Sequence, residues 1–240
     1  MNKILIYGGN SLISLEIIKI LYEKTDGFIV FCRKANEFKK KILELNYNQN
    51  KFDIKEVDLE NLKENIKIID TISVIQGIYW VAGYNGDALK EMEDMQSCEI
   101  NININFLHPV LLINRLVKKL DIKNNSSFIS VITSVAGLRG RAKNIFYGSS
   151  KSALISYLSG LRQKYNNEIN VITVIPGYIS TKNFNISAPS ILVSTPKSLA
   201  KKMVDAVRKK KEIVYSNIWW KIIMIIINLI PEKIFKKLKF

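Results

Sequence analysis

Short apolar runs alternate along this chain with longer stretches in which apolar residues fall three or four positions apart. The first run, Lys3–Tyr7, is typical of a buried strand, and Ser11–Glu23 has the apolar spacing of a helix. The predicted strands are Lys3–Tyr7, Gly27–Cys32, Lys51–Val57, Ser73–Val81, Ser127–Thr133 and Ile169–Ile175, and the longest predicted helices are Glu99–Leu120 and Tyr147–Tyr165. This alternation predicts an α/β fold with a Rossmann-type, doubly wound parallel sheet. Such a sheet binds ligands at the carboxyl ends of its strands.

The last 25 residues have a different pattern. The run Ile218–Ile230 is strongly apolar but too short and too interrupted to span a bilayer, and Pro231 ends it. Lysines then alternate with aliphatic and aromatic residues over 232–240. We consider two interpretations: an interfacial membrane anchor with Trp219 and Trp220 at headgroup depth, or a buried terminal helix that covers the substrate cleft or a subunit interface. We therefore divide the chain into one domain, residues 1–215, and a C-terminal amphipathic extension, residues 216–240.

Composition narrows the possible classes of protein. The 240 residues carry a net charge of +15, but lysine, isoleucine and asparagine are frequent throughout the chain, so we predict no nucleic-acid partner. Cys32 and Cys98 lack the spacing of a metal site, and no metal is predicted. Free cysteines indicate a reducing compartment, and the first strand leaves no room for a signal peptide. We expect a cytoplasmic protein.

One segment contains a serine, a tyrosine and a lysine that suit a single chemical task. On a helix, Tyr147 and Lys151 lie four residues apart on the same face, so the ammonium group comes near the phenol. A nearby cation favours the ionised phenol and lowers its pKa toward the range useful for proton transfer. Ser134 follows the apolar strand Phe128–Ile132, where its hydroxyl can hold a carbonyl oxygen.

A tyrosine and a lysine four residues apart are common on helices, but the complete segment is more specific. A strand, then Thr133–Gly137, a loop, and Tyr147–Lys151 opening an apolar helix resemble the active site of the short-chain dehydrogenase/reductase family. The resemblance implies that Ser134 orients a carbonyl and that Tyr147 acts as acid or base. Lys151 would lower the tyrosine pKa and hold the nicotinamide ribose. Asn105 would be the fourth catalytic group, holding a relay water.

The turn after the first strand would bind the dinucleotide. It joins a strand to a helix and so presents backbone amides and a positive helix end to phosphate. The family usually has Gly-x-x-x-Gly-x-Gly here. This chain keeps Gly8, but Leu12 and Ser14 stand in place of the later glycines. The resemblance implies cofactor contacts from Gly8, Ser11, Leu12 and Ile13.

The end of the second strand bears on the choice of cofactor. Cys32 occupies the position where an acidic residue would bind ribose hydroxyls and repel a 2′-phosphate, and Arg33 and Lys34 follow it. This favours NADP(H) over NAD(H), although NAD is possible, and a solvated basic loop is the alternative interpretation. The other cofactor-binding residues implied by the resemblance are Asp58, Leu59, Ala82, Gly83, Tyr147, Lys151, Pro176, Gly177, Ile179 and Thr181.

Further motifs are similar to one branch of the family, the decaprenylphosphoryl-2-keto-erythropentose reductases. They are the Gly8-Gly9-x-Ser11 opening, the segment Ala136–Ser149 and the ending of the chain. This resemblance implies reduction of a keto-sugar carried by a polyprenyl phosphate, in cell-envelope synthesis, after oxidation by a separate flavin oxidase. Arg139, Arg141 and Asn144 would contact the substrate. The protein would lie on the inner face of the cell membrane as a homodimer or homotetramer.

Two other functions are consistent with the same residues: a soluble carbonyl or ketoacyl reductase, and a non-catalytic dinucleotide sensor. We also expect Lys182–Ser194 to form a mobile substrate lid. His108, the only histidine, has no partners for a metal site, and we expect it at the surface or in an interface.

Overall fold

The computed structural model describes residues 3–122, 126–181 and 188–238. A parallel sheet of seven strands forms its centre, in the order β3-β2-β1-β4-β5-β6-β9, and β7 pairs with β8 in a separate two-stranded sheet. The strands are β1 Lys3–Tyr7, β2 Gly27–Cys32, β3 Phe52–Glu56, β4 Gly77–Trp80, β5 Phe128–Ile132, β6 Asn170–Ile175, β7 Tyr178–Ile179, β8 Val193–Ser194 and β9 Ile213–Tyr215. The predicted α/β fold with a doubly wound sheet is confirmed.

Helices connect the strands. They are α1 Leu12–Leu21, α2 Ala35–Glu44, α3 Leu62–Thr71, α4 Ala88–Glu93, α5 Met95–Ile102, α6 His108–Val117, α7 Ile145–Lys164, α8 Pro196–Arg208, α9 Ile218–Leu229 and α10 Glu232–Phe235. The helix predicted over Glu99–Leu120 is instead α5 and α6 joined by the π-helical turn Asn103–Leu107. Such a turn adds a residue to the helical repeat and changes the direction of the side chains that follow it.

Both faces of the sheet are buried, which explains why its strands are continuous apolar runs. In β1, Ile4 and Ile6 face the cluster that includes α1 and α8, while Leu5 and Tyr7 face the cluster that includes α3, α6 and α7. His108 is also buried, contrary to our expectation, and its Nδ1 donates to the Leu59 carbonyl at 2.7 Å. It therefore joins α6 to the segment after β3.

The strand order reverses between β1 and β4, and this reversal creates the crevice in which ligands bind. Gly8 directly follows β1 with φ 101°, and a Cβ at this position would lie 2.8 Å from the Ala82 backbone nitrogen. A side chain would therefore close the crevice as well as strain the backbone. Gly8 keeps the turns after β1 and β4 in close contact.

The C-terminal helix α9 packs at the edge of this crevice. Trp220 and Met224 are buried against Val135 and Ile175 in a third apolar cluster. The opposite side of the helix is apolar but exposed, with Ile218, Trp219, Ile222, Ile225, Ile226 and Leu229 between 42% and 77% accessible. No helix among the described residues is long and apolar enough to cross a membrane.

Candidate active site

Two adjoining cavities open at the carboxyl end of the sheet. The first, about 490 Å³, is lined by residues from the turns after β5 and β6, from α7 and from α9. The second, about 530 Å³, is lined by the turns after β1, β2 and β3. Residues 81–84 line both cavities, so the two form one continuous cleft. An elongated ligand can therefore extend from the strand reversal to α9.

The three residues expected to do the chemistry meet in the first cavity. Ser134 follows β5 and Tyr147 lies in the first turn of α7, and both side chains line this cavity with their hydroxyls near each other. The Ser134 hydroxyl also accepts from the Ala136 backbone nitrogen at 3.1 Å, which fixes its position. Lys151 lies one helical turn after Tyr147, and its Nζ is 5.7 Å from the tyrosine ring centroid. A hydroxyl pair and an ammonium group thus face one space.

The electrostatics of this group correct one expectation. Burial raises the pKa of the Tyr147 phenol, and the nearby Ser134 hydroxyl, not the charge of Lys151, acts against that rise. Lys151 is only 3% exposed, and burial lowers the pKa of its ammonium from 10.5 to about 8. The lysine thus loses its proton more readily than a solvated lysine. In the protein without ligand, Tyr147 remains a neutral phenol at neutral pH.

Asn105 lies behind the cavity wall and does not line it. It is fully buried in the π-helical turn, where its Oδ1 accepts from the Tyr84 backbone nitrogen at 3.0 Å and its Nδ2 donates to the Tyr84 carbonyl at 2.6 Å. A Cβ on Gly83 would lie 3.2 Å from both Asn105 Oδ1 and Lys151 Nζ. Asn105 therefore holds the Tyr84 backbone, and its side chain and Lys151 both lie beside Gly83.

Hydrogen bonds stabilise the turn after β1 in the absence of the later glycines. The Ser14 hydroxyl donates to the Gly8 carbonyl at 2.8 Å, inside the turn, and Ser11 caps α1 by accepting from the Ile13 nitrogen at 3.2 Å. Leu12, at the position of the second expected glycine, has a side chain that is 36% exposed and does not line either cavity. The two replacements therefore leave the crevice open, and the turn fits a dinucleotide phosphate at the start of α1.

The turn after β2 presents a cation to the second cavity. Cys32 is buried, and burial together with the Glu56 carboxylate raises the pKa of its thiol to about 11, so it carries no charge at neutral pH. Lys34 is paired with Glu37 at 2.7 Å. In the part of the chain that the structure describes, exposed Arg33 has no such partner and lines the cavity. The Arg33 guanidinium can bind an anionic group there.

Most of the remaining predicted residues line the same cleft. Gly8, Ser11, Cys32, Arg33, Asp58 and Leu59 line the second cavity, and Ile13, Arg141, Asn144, Pro176, Gly177, Ile179 and Thr181 line the first. Ala82 and Gly83 line both cavities. Of the expected lid, residues 182–187 lie outside the described residues.

A sequence model of the family described as short chain dehydrogenase matches residues 2–189. The chain belongs to this family. Among relatives, it is 35% identical over 114 residues to a ketoacyl reductase, HetN, of Nostoc sp., a match covering 45% of this chain and 39% of the relative. It is 30% identical over 130 residues to a 3-oxoacyl-[acyl-carrier-protein] reductase of Synechocystis sp., covering 53% and 52%. The chain thus spans about half the length of such relatives or less.

Solved structures of other short-chain dehydrogenases have the same fold. The chain superposes with a TM-score of 0.82 on one from Burkholderia cenocepacia in complex with NADP, at 16% identity, covering 100% of this chain and 98% of that one. The TM-score is 0.74 for a 3-oxoacyl-[acyl-carrier protein] reductase from Brucella melitensis in complex with NAD, at 19% identity and with coverage of 92% and 97%. At these identities the likeness establishes the fold alone.

Arg139, expected at the substrate phosphate, has other partners in this family member. Its guanidinium donates to the carbonyls of Asn228 at 3.3 Å and Ile230 at 3.2 Å, pairs with Glu232 at 2.7 Å and lies over the Phe235 ring at 4.3 Å. It is not among the residues that line the first cavity. Arg139 instead fastens the C-terminal segment to the loop after Ser134.

Sequence reasoning missed several cavity residues. Lys143 and Tyr178 lie between residues that were predicted, so attention to the whole of each loop would have found them. Trp220 reaches the cavity from a helix outside the family match, and its burial excludes the expected position at headgroup depth and agrees with a terminal helix that covers the cleft. Its indole donates to the Leu192 carbonyl at 2.8 Å and occupies the space that a side chain on Gly177 would need.

Proposed function

We propose that this protein is an NADPH-dependent reductase of a keto group on an anionic substrate. The observation that carries the proposal is that the Ser134 and Tyr147 hydroxyls share one cavity with buried Lys151. Among the described residues that line this cavity, Arg141, Lys143 and Lys151 are basic and none is acidic. A cavity of this composition favours a negatively charged ligand.

The roles follow from the chemistry of the side chains. Ser134 donates a hydrogen bond to the substrate carbonyl and polarises it, while Tyr147 gives the oxygen its proton. The nicotinamide, when bound, supplies the hydride that reduces the carbonyl carbon. Lys151, when protonated, holds the ribose hydroxyls and supports proton transfer from Tyr147. Asn105 supports this group from behind the loop. A dinucleotide sensor, by contrast, would bind the cofactor without reducing a substrate.

Arg33 carries the cofactor preference in this proposal, because it can pair with a 2′-phosphate while neutral Cys32 does not repel one. Tryptophan fluorescence titration should give tighter binding of NADPH than of NADH. Arg33→Ala should reduce NADPH affinity about tenfold and leave NADH affinity unchanged. Lys34→Ala is the matched control, since Lys34 is already paired with Glu37. Equal affinities of the parent protein for the two cofactors would exclude this preference.

For the substrate we propose a keto-sugar carried by a polyprenyl phosphate. Arg141 and Lys143 would hold its phosphate, and the polyprenyl chain would extend past Trp220 and α9. Supply of the ketone by a separate flavin oxidase is part of this proposal, because reduction then returns the sugar with inverted configuration. A ketoacyl group on a carrier is the second candidate, suggested by the names of the relatives. Dimer or tetramer formation is proposed for either.

The two substrate classes can be separated with short probes. We expect NADPH oxidation with a synthetic farnesyl-phosphate 2-keto-pentose and little with the acetoacetyl thioester of N-acetylcysteamine. Arg141→Met should raise the KM for the sugar phosphate about tenfold, because a charge-assisted contact to phosphate is lost. Preference for the thioester would favour the ketoacyl function. Cofactor binding without turnover of either probe would favour a sensor.

The exposed side of α9 supports location on the inner face of the cell membrane. Exposed Ile218, Trp219 and Ile222 supply apolar area, and nearby lysines of residues 216–240 supply attraction to anionic headgroups. Full-length protein should sediment with anionic vesicles and be partly released by salt, because exposed charges are screened. Trp219→Ala should weaken sedimentation without lowering the melting temperature. Failure of the full-length protein to bind at low salt would remove the membrane from the proposal.

A further inference from the structure

A buried carboxylate lies close to the cleft and has no role in the chemistry above. Glu91 in α4 is 4% exposed, and it is the one buried Asp or Glu in the described part of the chain. Its Oε1 lies against the backbone of Gly86, where an added Cβ would meet it at 1.7 Å. Gly86 belongs to the loop that lines the first cavity. The carboxylate therefore contacts the cleft wall from behind.

A chain of hydrogen bonds connects Glu91 to Asn105. The Glu91 Oε1 accepts from Asn101 Nδ2 at 2.6 Å, and Asn101 Oδ1 accepts from Asn105 Nδ2 at 2.9 Å and from the Ser150 hydroxyl at 3.4 Å. Asn105 then binds both the nitrogen and the carbonyl of Tyr84. The two asparagines are fully buried. The chain thus ends on the backbone of the cleft wall.

The Glu91 carboxylate determines which group of Asn101 donates in the hydrogen bond between them. An ionised carboxylate accepts hydrogen bonds but cannot donate them, whereas an amide can present either its oxygen or its nitrogen. Glu91 therefore selects the orientation of Asn101 that turns the NH₂ toward it and the oxygen toward Asn105. Asn105 Nδ2 then donates to Asn101 Oδ1, in the same orientation as its bonds to the Asn101 and Tyr84 carbonyls, and its own oxygen accepts from the Tyr84 N–H. Reversal of either amide would place two acceptors in contact in a buried site, which is costly.

We propose that Glu91 is a positioning residue that, through Asn101, stabilises the amide orientation of Asn105 and so holds the Tyr84–Gly86 wall beside Lys151. This rests on the proposed reductase function only where it concerns turnover. Gly83 connects the two parts, since Asn105 Oδ1 and Lys151 Nζ both lie 3.2 Å from the position of a Cβ on that residue. Loss of the orientation would move the wall at the catalytic lysine.

Asn101→Asp, made alone and together with Glu91→Gln, tests the direction of these hydrogen bonds. Asn101→Asp keeps the acceptor for Asn105 but places one carboxylate against another. Adding Glu91→Gln to it supplies an NH₂ that can donate to the new aspartate and restores every bond in the chain. The matched control is Glu93→Gln, an exposed residue of the same helix. Glu91→Leu removes the acceptor altogether.

The first readout needs neither cofactor nor substrate. Amide hydrogen exchange of Tyr84, measured by NMR on the full chain without cofactor, should be about tenfold faster in Asn101→Asp and Glu91→Leu than in the parent. In the double variant it should return to within about threefold of the parent. Glu93→Gln should leave it unchanged. An Asn101→Asp variant with parental exchange at Tyr84, or a folded double variant that exchanges no more slowly than Asn101→Asp, would overturn the proposal.

The second readout is the division between kcat and KM in NADPH-dependent reduction of the farnesyl-phosphate probe. Asn101→Asp should lower kcat about tenfold with little change in the KM for NADPH, and the double variant should recover it. Wild-type kcat in Asn101→Asp would also overturn the proposal. A protein in which the exchange follows this pattern but no probe is reduced would retain the positioning role and lose the reductase function. Unfolding of Glu91→Leu is of no consequence for this test, because the other variants decide it.

Discussion

The candidate catalytic segment, residues 134–151, and the C-terminal segment, residues 216–238, line the same cavity but are held in different ways. The first lies between β5 and α7, inside the family match of residues 2–189, with Lys151 buried in the body of the protein. The second lies beyond that match and attaches at a few points, chiefly Trp220 and Arg139. The residues proposed to react are therefore held by the end of β5 and by α7, whereas α9, a helix beyond the family match, contributes one wall of the cavity.

The largest effect that we predict is a loss of turnover from a change in the first segment. Tyr147→Phe removes the proton donor but keeps the ring, so turnover should fall by about 10² or more while NADPH affinity changes little. Tyr157→Phe is the matched control, because Tyr157 lies on the same helix but outside the cavity, where its hydroxyl donates to Asn114 of α6. Steady-state kinetics and fluorescence titration measure the two quantities. A Tyr147→Phe enzyme with most of its activity would contradict the assignment.

Adjacent tryptophans separate the two sides of α9. Trp220 is 6% exposed and Trp219 is 45% exposed, so Trp220→Ala should lower the free energy of unfolding by about 3 kcal/mol and Trp219→Ala by little. Urea unfolding measures both. Trp220→Ala should also raise the KM for the substrate, since its ring lines the cavity. Equal destabilisation by the two changes would mean that α9 does not pack as described.

Burial of the Lys151 ammonium group lowers the free energy of unfolding of the protein. Because the folded pKa is lowered from 10.5 to about 8, the cost of burying the charge is present below pH 8. Between pH 8 and 10.5 the unfolded chain binds a proton that the folded protein does not, so stability rises with pH across this window. Lys151→Met should therefore stabilise the protein at pH 7 by about 2 kcal/mol, allowing for lost contacts, and the gain should disappear by pH 10.5.

The control for this measurement is Lys40→Met, a change of an exposed lysine on α2 that should give no such pH-dependent difference. Urea unfolding of parent and variants at pH 7, 8, 9 and 10 gives the comparison. A Lys151→Met protein that is less stable than the parent at pH 7 would show that the ammonium group is well solvated or paired.

The smallest expected effect concerns the connection between the two segments. Arg139→Met removes contacts to Ile230, Glu232 and Phe235, but Glu232 is 76% exposed, so global stability should fall by about 1 kcal/mol or less. Trypsin should nevertheless cleave at Lys233 several times faster, because the terminal helix is released locally. Arg141→Met, which keeps these contacts, is the control. Equal cleavage rates in the two variants would remove Arg139 as the connection.

The sheet and most of the cleft could be predicted from the sequence, because both depend on local patterns. Runs such as Lys3–Tyr7 are typical of the strands of a parallel sheet, which are buried on both faces, and the loops after such strands meet at one edge. That is why Gly8, Arg33 and Ser134 could be assigned to one cleft from their positions alone.

The partners of residues whose contacts lie far away in the sequence could be found only from the tertiary structure. Arg139 reaches Glu232, and Trp220 reaches Leu192, across intervals that no periodicity records. The pKa of Tyr147 likewise depends on how deeply α7 packs, because burial opposes the effect expected from its spacing to Lys151. Spacing along a helix determines which groups are neighbours, but the surrounding packing determines the cost of their charges.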